Sequence, residues 1–493
     1  MRTHRPRRIA TVTAIALTVL VLGACSGSGG NGANSGSAGT TSQASKELPA
    51  CPVGALDAAT QPVEVVLWYA LSAKTEATLQ AQVKAYNASQ PRVRVRAENQ
   101  GPSYEELLRK FEATLPTPRD LPDIIVSEET TTRFMIDSGT VLPAQSCLDA
   151  EGLSTDPFVK PAVDYFSVDG VLYPASASLS DILTYYNKNH FRRAGLDPDK
   201  PPATLAEVRE YAEKIKAAGV VDRPVVLKLD SWFLETQLTG SGVPLVNNDN
   251  GRGNGETTEA AFVGPEALAV LQWVKDLNDA GLLQGIAATP GQVNHYLAMA
   301  QQNGSILVET STAATSVKAF LGGDTSVAAG LDAGNVDLAA LDIGAGPVYG
   351  IDEAGKAQVG GNAFFMLNTS PPAEQAGAWD FMKWWNQLDQ QVVWHLEGSY
   401  LPWLRAAAED PRIQAFWKDD LAGRWLAIAY DEMITGINPN FPGPLIGPYD
   451  RFRAAIRKAF DSVVLSGTEP QTALDTAASE INAALAQYND TNF

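Results

Sequence analysis

The segment from Leu172 to Lys188 reads Leu-Tyr-Pro-Ala-Ser-Ala-Ser-Leu-Ser-Asp-Ile-Leu-Thr-Tyr-Tyr-Asn-Lys. It begins with strand-forming residues, is interrupted at Pro174, passes through small and hydroxyl-bearing residues, and resumes as a β-rich run at Ile182. A strand of small residues can absorb a change in backbone dihedral angles and expose its backbone to a cleft. We interpret this segment as a crossing between two lobes. Taken alone, it fits an ordinary buried strand of a single domain equally well.

The strands and helices that precede this segment alternate along the chain. The pattern predicts strands at 63–69, 93–96 and 122–126, with helices at 76–90 and 104–115 between them. Ser103 followed by Glu106 is a capping box at the start of the second helix, and Thr204 with Glu207 forms another one further along. This alternation predicts an α/β protein with a parallel sheet, whose ligand sites lie beyond the carboxyl ends of the strands.

The first 24 residues have the pattern of an export signal. Four arginines precede an apolar stretch from Ile9 to Leu22, which is too short to span a bilayer of roughly 30 Å as a helix. The stretch closes with small residues before Cys25. It resembles a bacterial lipoprotein signal peptide, which implies lipidation of Cys25 at the outer face of the cytoplasmic membrane. A cleaved signal with an incidental cysteine is the alternative. Residues 25–47, rich in Gly, Ser and Asn, are predicted to be a flexible tether.

Composition limits the partners that the exported chain can have. The 493 residues leave enough length beyond the tether for two or three domains. Removing residues 1–24 takes away four arginines and no acids, which moves the formal net charge from −19 to −23. Such a charge argues against nucleic acid or an anionic membrane surface as a partner, and an anion has to be captured by local groups. The four scattered histidines have no metal-ligand spacing, so we expect neither a metal nor a cofactor.

Two cysteines remain if Cys25 is lipidated. An even pair in an oxidising compartment indicates a disulfide between Cys51 and Cys147, which would pin the mature N-terminus to the first lobe.

Three hinge-like segments lie near residues 175, 360 and 400. The chain also carries Tyr-Tyr-Asn-Lys at 185–188, Asn-Gly-Ser-Ile at 303–306 and Gly-Ser-Tyr-Leu-Pro at 398–402. In these features it resembles the periplasmic solute-binding proteins of the maltose-binding type. The resemblance implies two α/β lobes with three interlobe crossings and a ligand cleft between them. The implied first lobe comprises residues 48–176 and 358–400, and the second comprises residues 177–357 and 401–493.

A narrower resemblance is to the binding components of glycerol-3-phosphate and glycerophosphodiester importers. It rests on Ser-Tyr-Glu-Glu-Leu-Leu at 103–108, the glutamate after the strand at 122–126, and Asn-Phe-Pro-Gly-Pro at 440–444. Of the family's Ser-Gly-Trp-x-x-Trp pattern only Trp232 is present, and Leu229 in place of the first tryptophan is expected to widen the pocket. Carried over by position, the implied ligand-binding set is Tyr104, Glu128, Ser180, Leu229, Trp232, Thr312, Gly361, Tyr400 and Arg453.

The resemblance implies a monomeric binding protein, not an enzyme, that delivers a glycerophosphodiester or glycerol 3-phosphate to two permease subunits with a cytoplasmic ATPase. The chemistry of the residues agrees, because a phosphodiester needs donors such as Arg453 and glycerol hydroxyls need an acceptor such as Glu128. Two alternatives are an oligosaccharide- or disaccharide-binding protein and a lipid-anchored glycosidase that uses a pair of carboxylates.

Overall fold

The computed structural model describes residues 48–288, 294–324, 337 and 341–491. The predicted signal peptide, the tether and the lipidation site Cys25 lie outside these residues. Within the described part of the chain, no helix combines the length and the apolar character needed to cross a membrane.

Strands and helices alternate along much of the described chain, as the sequence pattern predicts. The strands are β1 (Val63–Tyr69), β2 (Val93–Asn99), β3 (Ile124–Glu128), β4 (Val141–Leu142), β5 (Ser167–Val168), β6 (Val171–Leu172), β7 (Ser176–Ser180), β8 (Ile182–Asn187), β9 (Val225–Leu229), β10 (Leu283–Ala287), β11 (Ile306–Thr310), β12 (Ile343–Pro347) and β13 (Gly360–Leu367). The helices are α1 (Ala73–Ser89), α2 (Tyr104–Thr114), α3 (Thr132–Asp137), α4 (Ala144–Glu151), α5 (Lys160–Phe166), α6 (Lys188–Arg193), α7 (Leu205–Ala217), α8 (Ser231–Gly240), α9 (Asn247–Gly251), α10 (Pro265–Asp279), α11 (Asn294–Ala300), α12 (Ala314–Leu321), α13 (Pro372–Trp385), α14 (Leu388–Gly398), α15 (Arg405–Ala408), α16 (Pro411–Asp419), α17 (Leu421–Thr435), α18 (Tyr449–Ser466) and α19 (Pro470–Asp490).

Two sheets organise the fold. The first has the strand order β2-β1-β3-β13-β4, with β7 added beside β13. Its β1, β2 and β3 run parallel, whereas β13 is antiparallel to its neighbours. The second sheet has the order β10-β9-β11-β8-β12, in which β9, β10 and β11 are parallel and β8 is antiparallel. The parallel strands bring the carboxyl ends of β3, β9 and β11 to the sheet edges where a site is expected.

Both predicted helix starts are capped by a side chain, and at the second one the glutamate carboxylate also accepts a backbone N–H. The Ser103 hydroxyl accepts a hydrogen bond from the backbone N–H of Glu106 at 3.3 Å. Thr204 accepts from the backbone N–H of Glu207 at 3.1 Å, and the Glu207 carboxylate accepts from the N–H of Ala203 at 2.7 Å. Each cap satisfies N–H groups at the start of a helix that have no partner within the helix. The first one fixes the orientation of α2, whose leading residue belongs to the site.

The segment from Leu172 to Lys188 carries the chain from one sheet to the other. β7 pairs with β13 in the first sheet, and β8 joins the second sheet, so the change of sheet occurs at Asp181 rather than at the implied lobe boundary after residue 176. Leu179 also bonds to Leu401, which places the segment near residue 400 beside this crossing. Beyond it, Ile413 of α16 packs against Val392 of α14. The lobe boundaries themselves stay a prediction.

Two carboxyl groups are buried at this change of sheet. Asp181 is fully buried and accepts a hydrogen bond from the backbone N–H of Ile182 at 2.8 Å. Glu432 of α17 is also buried and accepts from the N–H of Val348 at 3.0 Å. Burial raises the pKa of both side chains, and the charge of Asp181 raises the pKa of Glu432 further.

These buried carboxyls predict an acid-side optimum of stability. The folded protein binds their protons more tightly than the unfolded chain, so the free energy of unfolding falls as the pH rises from about 4 toward the raised pKa values. We expect Asp181→Asn to be more stable than wild type by about 1–3 kcal/mol at pH 8 and to lose part of this pH dependence. Urea denaturation at pH 5 and pH 8 measures both, with Asp120→Asn at an exposed position as the control. Parallel profiles for wild type and Asp181→Asn would contradict the prediction.

Candidate ligand-binding site

Arg453 joins the two sheets through a group of carboxylates. It lies on α18, which packs on the second sheet, and its Nη1 donates to Oε1 of Glu128 at the end of β3, at 2.8 Å. Nε and Nη2 donate to the two carboxylate oxygens of Glu235 on α8, at 3.1 and 3.2 Å. Nη2 also lies 3.5 Å from Oε1 of Glu129. We call Arg453, Glu128, Glu129 and Glu235 the arginine cluster.

The arginine cluster has an excess of acidic groups in a region that is mostly withdrawn from water. The side chains of Glu235 and Glu129 are 1% and 3% exposed, that of Arg453 is 13% exposed, and that of Glu128 is 29% exposed. Burial acts to lower the pKa of Arg453, but the three carboxylates outweigh it and raise that pKa. Burial and then the charge of Glu128 raise the pKa of Glu129. Glu128, the most exposed member, is therefore the carboxylate best able to meet a ligand.

A pair of tyrosines flanks Glu128. The hydroxyl of Tyr104, at the start of α2, lies 3.2 Å from the hydroxyl of Tyr400. Asn362 pairs with Glu128 in the register of β13 and β3, and its Nδ2 donates to the Tyr104 hydroxyl at 2.9 Å. Tyr400 stacks on Trp394 with a centroid separation of 5.7 Å. These contacts hold two hydroxyl groups beside the arginine cluster. The hydrogen bond between them uses one of the two hydroxyl hydrogens, so the pair keeps one to donate to a ligand.

A close approach of backbones shapes the neighbouring wall. Gly361 has a φ of +119°, and a Cβ at this position would lie 1.9 Å from the carbonyl oxygen of Ser178, so only glycine fits. A Cβ at Gly360 would lie 2.8 Å from the Trp232 ring and 3.2 Å from Oγ of Ser180. Trp232 and Ser180 therefore meet across this glycine. The Nε1 of Trp232 is buried without a hydrogen-bond partner among the described residues, so it is an unsatisfied donor in this wall.

Thr312 and Leu229 are the remaining members of the implied set. Thr312 follows β11, and its hydroxyl contacts that of Thr310 at 3.1 Å. Leu229, at the end of β9, is 1% exposed and belongs to the core of the second sheet, where it lies beside Gly285. That Leu229 in place of a tryptophan widens the pocket stays a prediction.

Sequence reasoning missed Glu129, Glu235 and Asn362. Glu129 directly follows Glu128, and nothing in the neighbouring sequence marks it as a second residue of the site. Glu235, however, lies in a helix whose residues from Phe233 to Thr239 are all buried. An acidic residue in a helix without a solvent-facing side requires a cationic or donor partner, which could have directed attention to it. In the described part of the chain, no group of three or more potential ligands is arranged to hold a metal ion.

Comparison with known proteins relates most of the chain to one class of binding protein. A family model described as bacterial extracellular solute-binding protein matches residues 81–422. The sn-glycerol-3-phosphate-binding periplasmic protein UgpB of Escherichia coli O6:K15:H31 (strain 536) is 25% identical over 450 residues, which cover 88% of this chain and 95% of the relative.

Solved structures of similar fold include proteins with different ligands. The cyclic alpha-maltosyl-1,6-maltose binding protein of Arthrobacter globiformis superposes with a TM-score of 0.66 at 22% identity, over 86% of this chain and all of that one. UgpB of Mycobacterium tuberculosis in complex with glycerophosphocholine also has a TM-score of 0.66, at 17% identity, over 87% of this chain and all of that one. These likenesses confirm the predicted α/β fold with two lobes and a cleft.

Proposed function

The chain belongs to the bacterial extracellular solute-binding proteins, the solute-binding components of ABC importers, and we propose that its solute is a glycerophosphodiester, glycerophosphocholine foremost. Proteins of this class bind a small molecule and deliver it to a permease and its ATPase, so they are binding proteins rather than enzymes. The observation that carries the proposal is the contact between Glu128 and Arg453 across the cleft. The sequence resemblance implies a ligand role for both residues.

In the proposed complex, the glycerol hydroxyls donate to Glu128. Its carboxylate is oriented by Nη1 of Arg453 and by the Thr130 hydroxyl, which donates to Oε2 at 3.2 Å. The phosphate accepts from neutral donors, namely the one hydroxyl hydrogen that the Tyr104–Tyr400 hydrogen bond leaves free and the unsatisfied Nε1 of Trp232. Nη1 of Arg453 has a second hydrogen without a bond to a described residue, and we assign it to the phosphate as well.

The charge of the site favours a solute without a net charge. Three carboxylates and one guanidinium repel a phosphate monoester, which carries nearly two negative charges at neutral pH. A phosphodiester carries one negative charge, and a choline head group balances it. Glycerophosphocholine therefore meets the acidic cleft as a zwitterion, with its cationic end attracted to the excess of carboxylates.

A neutral oligosaccharide is the second candidate. It is supported by the arginine cluster, because carboxylates accept hydrogen bonds from sugar hydroxyls, and by the likeness in fold to the maltose-type binding protein. The unsatisfied Nε1 donor of Trp232 and the free hydroxyl hydrogen of the tyrosine pair favour the phosphate, because a charged phosphate oxygen accepts hydrogen bonds more strongly than a sugar hydroxyl does.

A thermal-melt screen separates the candidates. We expect glycerophosphocholine to raise the melting temperature of the protein, because a ligand that binds only the folded state stabilises it by about 2.7 kcal/mol at one hundred times its dissociation constant. Glycerol 3-phosphate and maltose serve as the competing ligand classes at the same concentration. A shift with maltose and none with glycerophosphocholine would assign the protein to the sugar importers.

We also propose that the protein is held at the outer face of the cytoplasmic membrane by lipid on Cys25. Replacing Cys25 with alanine is expected to move the protein from the membrane fraction to the medium, because two lipid signals are needed for stable anchoring and one residue carries them. Immunoblots of the two fractions measure the shift, with Ser35→Ala in the predicted tether as a control that leaves Cys25 and the other cysteines intact. Retention of Cys25→Ala in the membrane fraction would contradict the anchor.

A further inference from the structure

Glu235 occupies the face of Arg453 that usually receives a phosphate. A guanidinium binds phosphate most strongly through two parallel N–H donors. In this structure, the parallel donors Nε and Nη2 are both given to Glu235, whose Oε2 also accepts from the Tyr449 hydroxyl at 3.0 Å. Glu235 is 1% exposed, so a solute cannot reach its carboxylate without separating it from the arginine.

The opposite edge of the guanidinium is engaged as well. Nη1 donates to Glu128, and Nη2 lies 3.5 Å from Glu129. A phosphate that bound two parallel N–H groups of Arg453 would have to displace a carboxylate. It would then lie beside the other carboxylates of the arginine cluster. Charges a few ångströms apart in such a dry region repel strongly, so each further negative charge on the solute weakens binding.

We propose that Glu235 is a selectivity residue that denies Arg453 to phosphate monoesters and so restricts the cleft to solutes without a net charge. This inference rests on the proposed function and identifies the residue that determines which solutes the cleft accepts. Glu235 acts through Arg453 and does not itself touch the solute.

Calorimetry on a pair of solutes that differ in charge tests the inference. Wild type is expected to bind glycerophosphocholine more tightly than glycerol 3-phosphate. In Glu235→Gln, which removes one charge and frees part of the guanidinium, the ratio of the two dissociation constants should shrink by on the order of tenfold, mainly through tighter binding of glycerol 3-phosphate. Glu235→Asp keeps the charge and should keep the preference for the uncharged solute. If Glu235 had only a structural role, its replacement would weaken the binding of both solutes equally.

A second variant covers the case in which Glu235→Gln does not fold. Asp230 makes no bond to Arg453 but lies in its electrostatic field, and its carboxylate is 3.2 Å from Nζ of Lys228. Although burial acts to raise it, Lys228 and Arg453 lower the pKa of Asp230 to about 2, so the group is charged. Asp230→Asn should shrink the ratio in the same direction without breaking the arginine cluster.

The possible failures are distinguishable. If wild type binds neither glycerophosphate compound, the proposed function is wrong, and this inference is lost with it. If wild type binds glycerophosphocholine but the ratio is the same in wild type, Glu235→Gln and Asp230→Asn, the proposed function stands and the role of Glu235 is refuted.

Discussion

Replacing Arg453 with alanine is expected to lower the free energy of unfolding by about 3–5 kcal/mol and to weaken solute binding about 30- to 1000-fold. The reason is that three carboxylates converge on this one guanidinium, and two of them, Glu129 and Glu235, are almost fully withdrawn from water. Without the arginine they are left buried and mutually repelling. Glu128 also loses the donor that orients it toward the cleft.

Arg453→Lys is the matched control for this effect. Lysine keeps the positive charge but cannot serve Glu128 and both oxygens of Glu235 with one planar group, so an intermediate loss is expected. Urea denaturation gives the stability of each variant, and calorimetry gives its affinity. An alanine variant as stable as wild type, with unchanged affinity, would show that the arginine cluster has neither role.

Breaking the disulfide between Cys51 and Cys147 is expected to have a comparable effect on stability. The two cysteines form a bond in the structure and are 96 residues apart. In the chain-entropy model, opening a loop of this length destabilises a protein by about 4 kcal/mol. Cys147 is fully buried in α4, and Cys51 leads into a 3-10 turn (Val53–Ala58) that packs against α4 and α13.

The double variant Cys51→Ala/Cys147→Ala measures this contribution against the oxidised wild type. Reduced wild type is the control that keeps both sulfur atoms in place, and it should lose a similar amount of stability. Mass spectrometry of the exported protein should detect a mass two hydrogens below that of the reduced chain. Two free thiols, or equal stability of the oxidised and reduced proteins, would contradict the prediction.

Local patterns were sufficient to predict the class of fold. The strands before residue 130 and the helices between them are encoded by runs of apolar residues and by caps such as Ser103, which act over a few positions. The crossing was recognised from small residues around Ser178, and the structure adds that the chain changes sheet at Asp181. The resemblance supplied Glu128, Tyr104 and Arg453, which the structure brings together.

The composition of the arginine cluster could not be predicted, because its contacts join residues that are far apart in the sequence. Glu235 and Arg453 are 218 residues apart, and nothing near either residue encodes the other. The same holds for Asp181 and Glu432, whose shared burial follows from the packing of α17 on the crossing. Leu229 lies in the core of the second sheet, and its effect on the pocket stays a prediction.

Titration of the wild-type protein with glycerophosphocholine in a calorimeter, with maltose as the alternative solute, tests the central claim most directly. We predict saturable binding of one glycerophosphocholine per chain, strongly weakened in Arg453→Ala, and no heat of binding with maltose. Tight binding of maltose that is unchanged in Arg453→Ala, with no response to glycerophosphocholine, would contradict the account.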